Sequence, residues 1–128
     1  MSELLRALVL LLVGCATLST GCVQPQEPTY LNESLRIAEQ FIRTAPTFAY
    51  DGDESTLTLV DSNQLSPSSW EFTFTFQSRT AGYGNRAGMM VAQVLTNHTA
   101  VIRVEDGDVV YAVYDGVWDE LNQRMIEE

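Results

Sequence analysis

The sequence predicts an α+β fold: an N-terminal helix packed on a curved antiparallel sheet of about five strands, followed by a short C-terminal helix. Three observations carry this. Leu31, Leu35, Ala38, Phe41/Ile42 and Ala45 recur at three- and four-residue spacing, which lines one side of a helix with apolar groups. The run Trp70-Glu71-Phe72-Thr73-Phe74-Thr75-Phe76-Gln77 alternates large apolar and polar residues, so Trp70, Phe72, Phe74 and Phe76 share one face of a strand. Two β-branched-rich runs, Thr99–Val104 and Val109–Tyr114, flank Glu105-Asp106-Gly107-Asp108, and Asp-Gly between such runs marks a hairpin. Helix and strands are segregated along the chain, which is the α+β pattern.

In order, residues 1–22 read as an export signal. Arg6 precedes the unbroken apolar run Ala7–Val13, and small residues and cysteine follow. That run is far below the roughly 20 residues a membrane-spanning helix needs. Residues 23–30 read as an extended linker bearing Pro and Gln. The helix starts near Leu31, capped by Thr29 or Asn32, and Pro46 ends it by pushing Ala45 out of helical geometry. Thr47–Tyr50 is expected to be extended, and Asp51-Gly52-Asp53-Glu54 an acidic turn. Ser55–Val60 reads as a strand with Leu57 and Leu59 inward, and Asp61–Ser69 as a polar loop. After the Trp70–Gln77 strand the chain turns through Ser78–Gly88 and returns as a second strand, Met89–Leu95. Thr96-Asn97-His98 is then a tight turn or bulge, and Asp115-Gly116 ends the sheet. Val117/Trp118, Leu121 and Met125/Ile126 give the closing helix, with Asp119 and Glu120 in its first turn where the helix dipole favours acids. The domain proper is 31–128.

All seven basic residues of this 128-residue chain are arginine, and seventeen acids oppose them for a net charge of −10. That balance argues against nucleic acid, whose phosphates need clustered cations, and against adhesion to anionic lipid headgroups. Both cysteines lie in the leader. Leu12-Val13-Gly14-Cys15 and Leu18-Ser19-Thr20-Gly21-Cys22 each resemble the lipobox of prokaryotic lipoproteins, whose cysteine is acylated after cleavage; the first has the better pattern, with Leu three residues ahead of Cys15. Cys22 gives the more usual signal length and is followed by a polar linker; Cys15 is the alternative. Acylation would hold the protein at a membrane surface, outside the cytoplasm, where there is no ATP to support kinase or NTPase chemistry.

From Phe72 to Val104 there is no Asp or Glu, and the stretch carries Arg79, Arg86, Arg103 and the single histidine, His98. Gly82, Gly84 and Gly88 permit positive φ and expose backbone N–H groups, while Arg79 and Arg86 can fork a carboxylate and Tyr83 adds a ring and a hydroxyl. The loop is therefore a candidate contact for an acidic group on a protein or peptide. The alternative is that its arginines pair with acids of this chain such as Glu33, Glu39 or Asp115. No Lys-Ser/Thr follows the glycines, so this is no nucleotide loop. His98 has no nucleophile or orienting acid near it in sequence, which favours a structural turn histidine. One histidine and no cysteine in the mature domain do not make a zinc site, and no cofactor is expected. The acidic clusters at 51–54, 105–108 and 115–120 lack the twelve-residue calcium pattern and read as solvated turns. Trp70 and Trp118 read as core. Asn32-Glu33-Ser34 and Asn97-His98-Thr99 have the N-glycosylation acceptor pattern, which counts on an exported chain of an archaeal or eukaryotic host.

Trp70-Glu71-Phe72, the block Phe76-Gln77-Ser78-Arg79-x-Ala81-Gly82-Tyr83-Gly84-x-Arg86-x-Gly88, then His98-Thr99-Ala100-Val101-Ile102 and Asp115-Gly116-x-Trp118-Asp119 resemble a family of small uncharacterised archaeal and bacterial lipoproteins and exported proteins. The matching positions are Trp70, Arg79, Gly82, Tyr83, Gly84, Arg86, His98, Asp115 and Trp118. The resemblance implies location and fold, with an outline like that of cystatin-like and PepSY-like domains, and brings no activity with it. The expectation is a membrane-anchored, non-enzymatic binding module that meets a protein or peptide through Arg79–Gly88. A hydrolase or small-molecule binder with a pocket around His98, Tyr83 and Trp118 is the alternative from another class, and a purely structural envelope component is a third.

Overall fold

Six strands form one antiparallel meander in which each strand pairs with its neighbours in sequence. They are β1 (Thr58–Ser66), β2 (Ser69–Ser78), β3 (Thr96–Glu105), β4 (Asp108–Tyr114), β5 (Trp118–Asp119) and β6 (Arg124–Met125). The structure is a computed structural model and describes residues 26–127, with side chains from Tyr30 onward. The expected export signal, Cys15 and Cys22 lie outside the described residues. Leu31–Glu128 forms one compact unit; of the other unit, Met1–Tyr30, only the start of a helix is described. Among the described residues no helix is long and apolar enough to cross a membrane.

The α+β class holds. The core joins Phe72, Phe74 and Phe76 of β2, Ala100, Ile102 and Val104 of β3, and Ala112 and Tyr114 of β4 with Ala38, Ile42 and Phe48. Ladder pairs Phe72↔Ile102 and Phe74↔Ala100 keep the alternating residues on one face. Each phenylalanine buried this way stabilises the fold by about 1.5–3 kcal/mol. Two hairpins have Asp-Gly tips. Asp106 and Gly107 have φ of 50° and 82°, the positive-φ pair that matches the twist of the flanking strands.

Several boundaries differ from expectation, each for a physical reason. Helix α1 runs Gln26–Thr44, so it takes up most of the expected linker. Pro28 falls in its first turn, where a missing N–H costs no ladder bond. Ala45 does leave helical geometry, at φ −73° and ψ 152°, but a second helix, α2 (Pro46–Asp51), follows where extended chain was expected. Proline's fixed φ suits the first position of a helix, so Pro46 ends one helix and starts the next. Glu54–Thr56 is a 3₁₀ turn, and β1 continues to Ser66 through the expected loop, leaving Pro67 at the hairpin tip. Every residue of β1 is exposed, Leu59 included, because β1 is an edge strand paired only to β2.

Met89–Leu95 is not a strand. The partner positions on β2 are taken by Thr96–Glu105, and Thr96-Asn97-His98 pairs with Ser78, Gln77 and Phe76 rather than turning. Nor does the sheet end at Asp115-Gly116. Their φ values of 55° and 70° repeat the hairpin geometry, so the chain folds back as β5 and β6 in place of the expected closing helix.

Candidate functional site

The irregular segment Arg79–Leu95 joins β2 to β3 and contains most of the expected site residues. Two buried polar clusters fix its root. The first centres on Arg86, 1 % exposed. Its guanidinium pairs with Asp51 at the end of α2 and donates to the carbonyls of Gly84 and, at 3.3 Å, Thr47. Asp51 also accepts from the Thr80 N–H (2.8 Å) and hydroxyl (2.6 Å). The Tyr50 ring lies 4.8 Å from the guanidinium carbon, a cation–π contact. Arg86 therefore does not face solvent beside Arg79. Its partner is an acid of this chain, though not Glu33, Glu39 or Asp115, which engage Arg36, Arg43 and His98. Arg79 remains exposed and has no ion pair among the described residues.

The same cluster extends through Thr47. The Thr47 hydroxyl donates to Glu120 and accepts from the Gly84 N–H at 2.7 Å. Glu120, 2 % exposed, also accepts from the Thr47 N–H, from Trp118 Nε1 at 2.8 Å and from Gln123. Gly84 has φ +70°, where a side chain is strained, and a Cβ there would press on the end of the Gln123 side chain at 3.0 Å.

The second cluster centres on His98, 2 % exposed. Nδ1 lies 2.7 Å from Asp115 Oδ2, and Nε2 lies 3.1 Å from Ser78 Oγ. A carboxylate only accepts, so Nδ1 carries the proton. Asp115 further accepts from the Thr99 N–H (2.7 Å) and the Tyr83 hydroxyl (2.9 Å). Burial pushes the Asp115 carboxyl upward, but the bonds from His98, the Thr99 N–H and Tyr83 together hold it below the usual carboxylate range. Burial, then the hydrogen bond to Asp115, pushes the Tyr83 hydroxyl up to about 12. Tyr83 stacks on Trp118 at 5.3 Å and 9°, and its centroid lies 5.3 Å from that of His98.

Ser78, His98 and Asp115 thus stand in the order of an acyl-transfer triad. Two features work against that chemistry in this conformation. Ser78 is fully buried, and its hydroxyl also lies 2.8 Å from the Thr80 carbonyl as a donor. The next two backbone N–H groups, of Arg79 and Thr80, both donate to Asp51 and so cannot stabilise an oxyanion. As it stands, the arrangement joins the ends of β2 and β4 through β3.

His98, Tyr83 and Trp118 are brought together, with their rings packed on one another, and Gly82 and Gly84 form the bends beside them. Reasoning from sequence missed Ser78, Asp51, Thr47 and Glu120 as members of the site. The acid-free stretch concealed the orienting acid of His98, because Asp115 arrives from a positive-φ turn beyond β4. Trp70 is half-buried against the core and stacks on Phe72. Of the acidic clusters, Asp51 serves Arg86, and Asp53 caps the 3₁₀ turn through Ser55. Among the described residues no group of three or more His, Cys, Asp or Glu is placed to hold a metal.

The outer part of the segment presents Met89, Met90, Val94 and Leu95 to solvent, Met90 completely at 103 %. Asn32 on α1 and Asn97 on β3 are exposed. Comparison with protein-family models, with curated proteins and with solved structures finds no match to this chain.

Proposed function

We propose that this is an exported, lipid-anchored protein whose domain binds another protein or peptide without catalysing a reaction. In this reading acyl chains on Cys22, or on Cys15, hold it at the outer face of a membrane, and α1 covers the apolar face of the sheet. The contact surface is the outward part of Arg79–Leu95. The observation that supports it is the exposure of Met89, Met90, Val94 and Leu95 on a segment whose root is fixed by Arg86 and Asp51. Exposed apolar side chains gain about 25 cal/mol per Å² when a partner covers them, and a fixed root limits the ordering cost of binding. Exposed Arg79 offers a charge to an acidic partner, whereas Arg86 acts inside the domain. The acid excess argues against nucleic acid as that partner.

The chain has no lysine, so amine-directed cross-linkers suit it poorly, and a photoreactive residue at Met90 is the better probe. The expected result in native membranes is one dominant adduct, lost when Val94→Ser/Leu95→Ser is added and weakened by Arg79→Ala. The same adduct from a probe at exposed Val110 would remove the segment from the proposal, and no adduct from Met90 would remove the binding module.

The alternative, a hydrolase with its site around His98, Tyr83 and Trp118, is favoured by one observation, the Ser78–His98–Asp115 geometry. It requires the segment to open and free Ser78. Labelling of native protein by a fluorophosphonate, abolished by Ser78→Ala, would establish it; unlabelled native protein would end it.

A further inference from the structure

We propose that Asn97 carries an N-linked glycan whose first sugars lie in a groove on the outer face of the sheet. This rests on the exported reading above, since the modification takes place outside the cytoplasm. The two sequons differ in how the fold presents them. On β3, Asn97 and Thr99 are two residues apart in a strand, so both point to the outer face, and both are exposed. The Asn97 side chain has no hydrogen-bond partner among the described residues, which leaves its amide free. On α1, Asn32 is exposed, but two helical positions turn the chain by about 200°, and Ser34 is buried.

The surroundings of Asn97 match a sugar. Asn97 is paired across the ladder with Gln77, Thr99 with Thr75, and Thr75 in turn with Thr58. Thr56, Thr75, Gln77, Asn97 and Thr99 line a groove of about 400 Å³ together with Phe76 and His98. The His98 ring is engaged with Ser78 and Asp115 on the opposite face. In a chain of net charge −10, this groove holds no carboxylate and no guanidinium. The Thr75 and Thr99 hydroxyls and the Gln77 and Asn97 carboxamides both donate and accept, as neutral sugar hydroxyls do, while the Thr56 hydroxyl is held by the Asp53 carbonyl and the Gln77 N–H.

The donor is a polyisoprenyl-diphosphate oligosaccharide, and a membrane glycosyltransferase of the host catalyses the step. The sugar C1–O bond to diphosphate breaks, a C1–Nδ2 bond to Asn97 forms, Nδ2 loses one proton and the polyisoprenyl diphosphate leaves. No electrons are transferred overall.

The test is mass spectrometry of the full chain from its native host, after denaturation and trypsin, alongside protease accessibility on intact cells. The peptide Ala87–Arg103 isolates Asn97. The expected result is a hexose- or hexosamine-containing mass increment on Asn97, lost completely in Asn97→Gln and Thr99→Ala and kept in Thr99→Ser. An unmodified Asn97, or a glycan on Asn32 alone, in protein that is accessible outside the cell overturns this proposal and leaves the exported reading standing. Protein inaccessible outside the cell overturns both.

Discussion

Arg86 places its guanidinium against Asp51, Thr47, Gly84 and Thr80 and leaves almost none of it to water. Removing one member of a buried pair strands the other charge, which costs about 3–5 kcal/mol, whereas replacing both with apolar groups costs much less. Arg86→Met is therefore expected to lower unfolding stability in urea by about that amount, and Asp51→Leu/Arg86→Met to recover only part of the loss, because the Thr80 N–H and hydroxyl and the Gly84 and Thr47 carbonyls then lose their partners. Asp115 gives a pH signature. Its carboxyl is held below its ordinary value in the folded state, so the unfolded chain takes up protons first as pH falls. The stability it contributes is fully present above about pH 4, the unfolded carboxylate value, and is lost as pH falls through the lower folded value. In Asp115→Asn that part of the acid limb disappears, which a series of urea midpoints against pH would read. An unchanged limb would mean that Asp115 is not the group responsible.

The short elements depend on glycine for two different reasons, and the two can be separated. A Cβ at Gly52 would run into the Phe48 ring, although its φ of −66° suits any residue. At Gly107 nothing lies within 4 Å, but φ is +82°. Gly52→Ala is expected to displace a core ring and cost about 1–3 kcal/mol, with a disturbed near-ultraviolet spectrum. Gly107→Ala should cost about 1 kcal/mol from backbone strain alone and leave that spectrum unchanged. The same contrast bears on what could be read from sequence. Trp70–Gln77 was legible because period-two alternation continues through the whole strand, and Asp106-Gly107 because two long β-branched runs flank it. Asp115-Gly116 is the same dipeptide, but strands of only two residues follow it, too short to show a period, and the spacing of Leu121 and Met125 suggested a helix. Met89-Met90-Val91-Ala92 is apolar without alternation, so its hydrophobicity indicated a strand that the ladder has no place for. Of the site, the arginine–glycine loop stood out by composition. Its true partners, Asp51, Thr47 and Glu120, did not, because nothing local distinguishes them and the contacts that matter span dozens of residues.

At the scale of the whole molecule, every strand of the meander meets its sequence neighbour, and among the described residues Arg79–Leu95 is the longest connection between two strands. The anchor proposed for the chain is tested at this scale too. Cys22→Ser is expected to move the protein from the detergent phase to the aqueous phase on temperature-induced separation of a detergent extract, and Cys15→Ser to leave it in place; the reverse would identify Cys15 as the acylated residue. Arg79 and Arg86 stand seven positions apart in the Arg79–Leu95 segment, the first exposed and the second enclosed. In a chain without lysine, trypsin can cut only after arginine, and the bond after Arg79 carries the Thr80 N–H that Asp51 holds, so both cuts in this segment wait for the Asp51–Arg86 cluster to open. Their rate then measures how often that cluster opens, with about tenfold in rate for every 1.4 kcal/mol of opening free energy when closing outpaces cleavage. A gel lane sampled over time thus becomes a gauge of the segment's local stability, and any partner that settles on its outer side would slow both cuts.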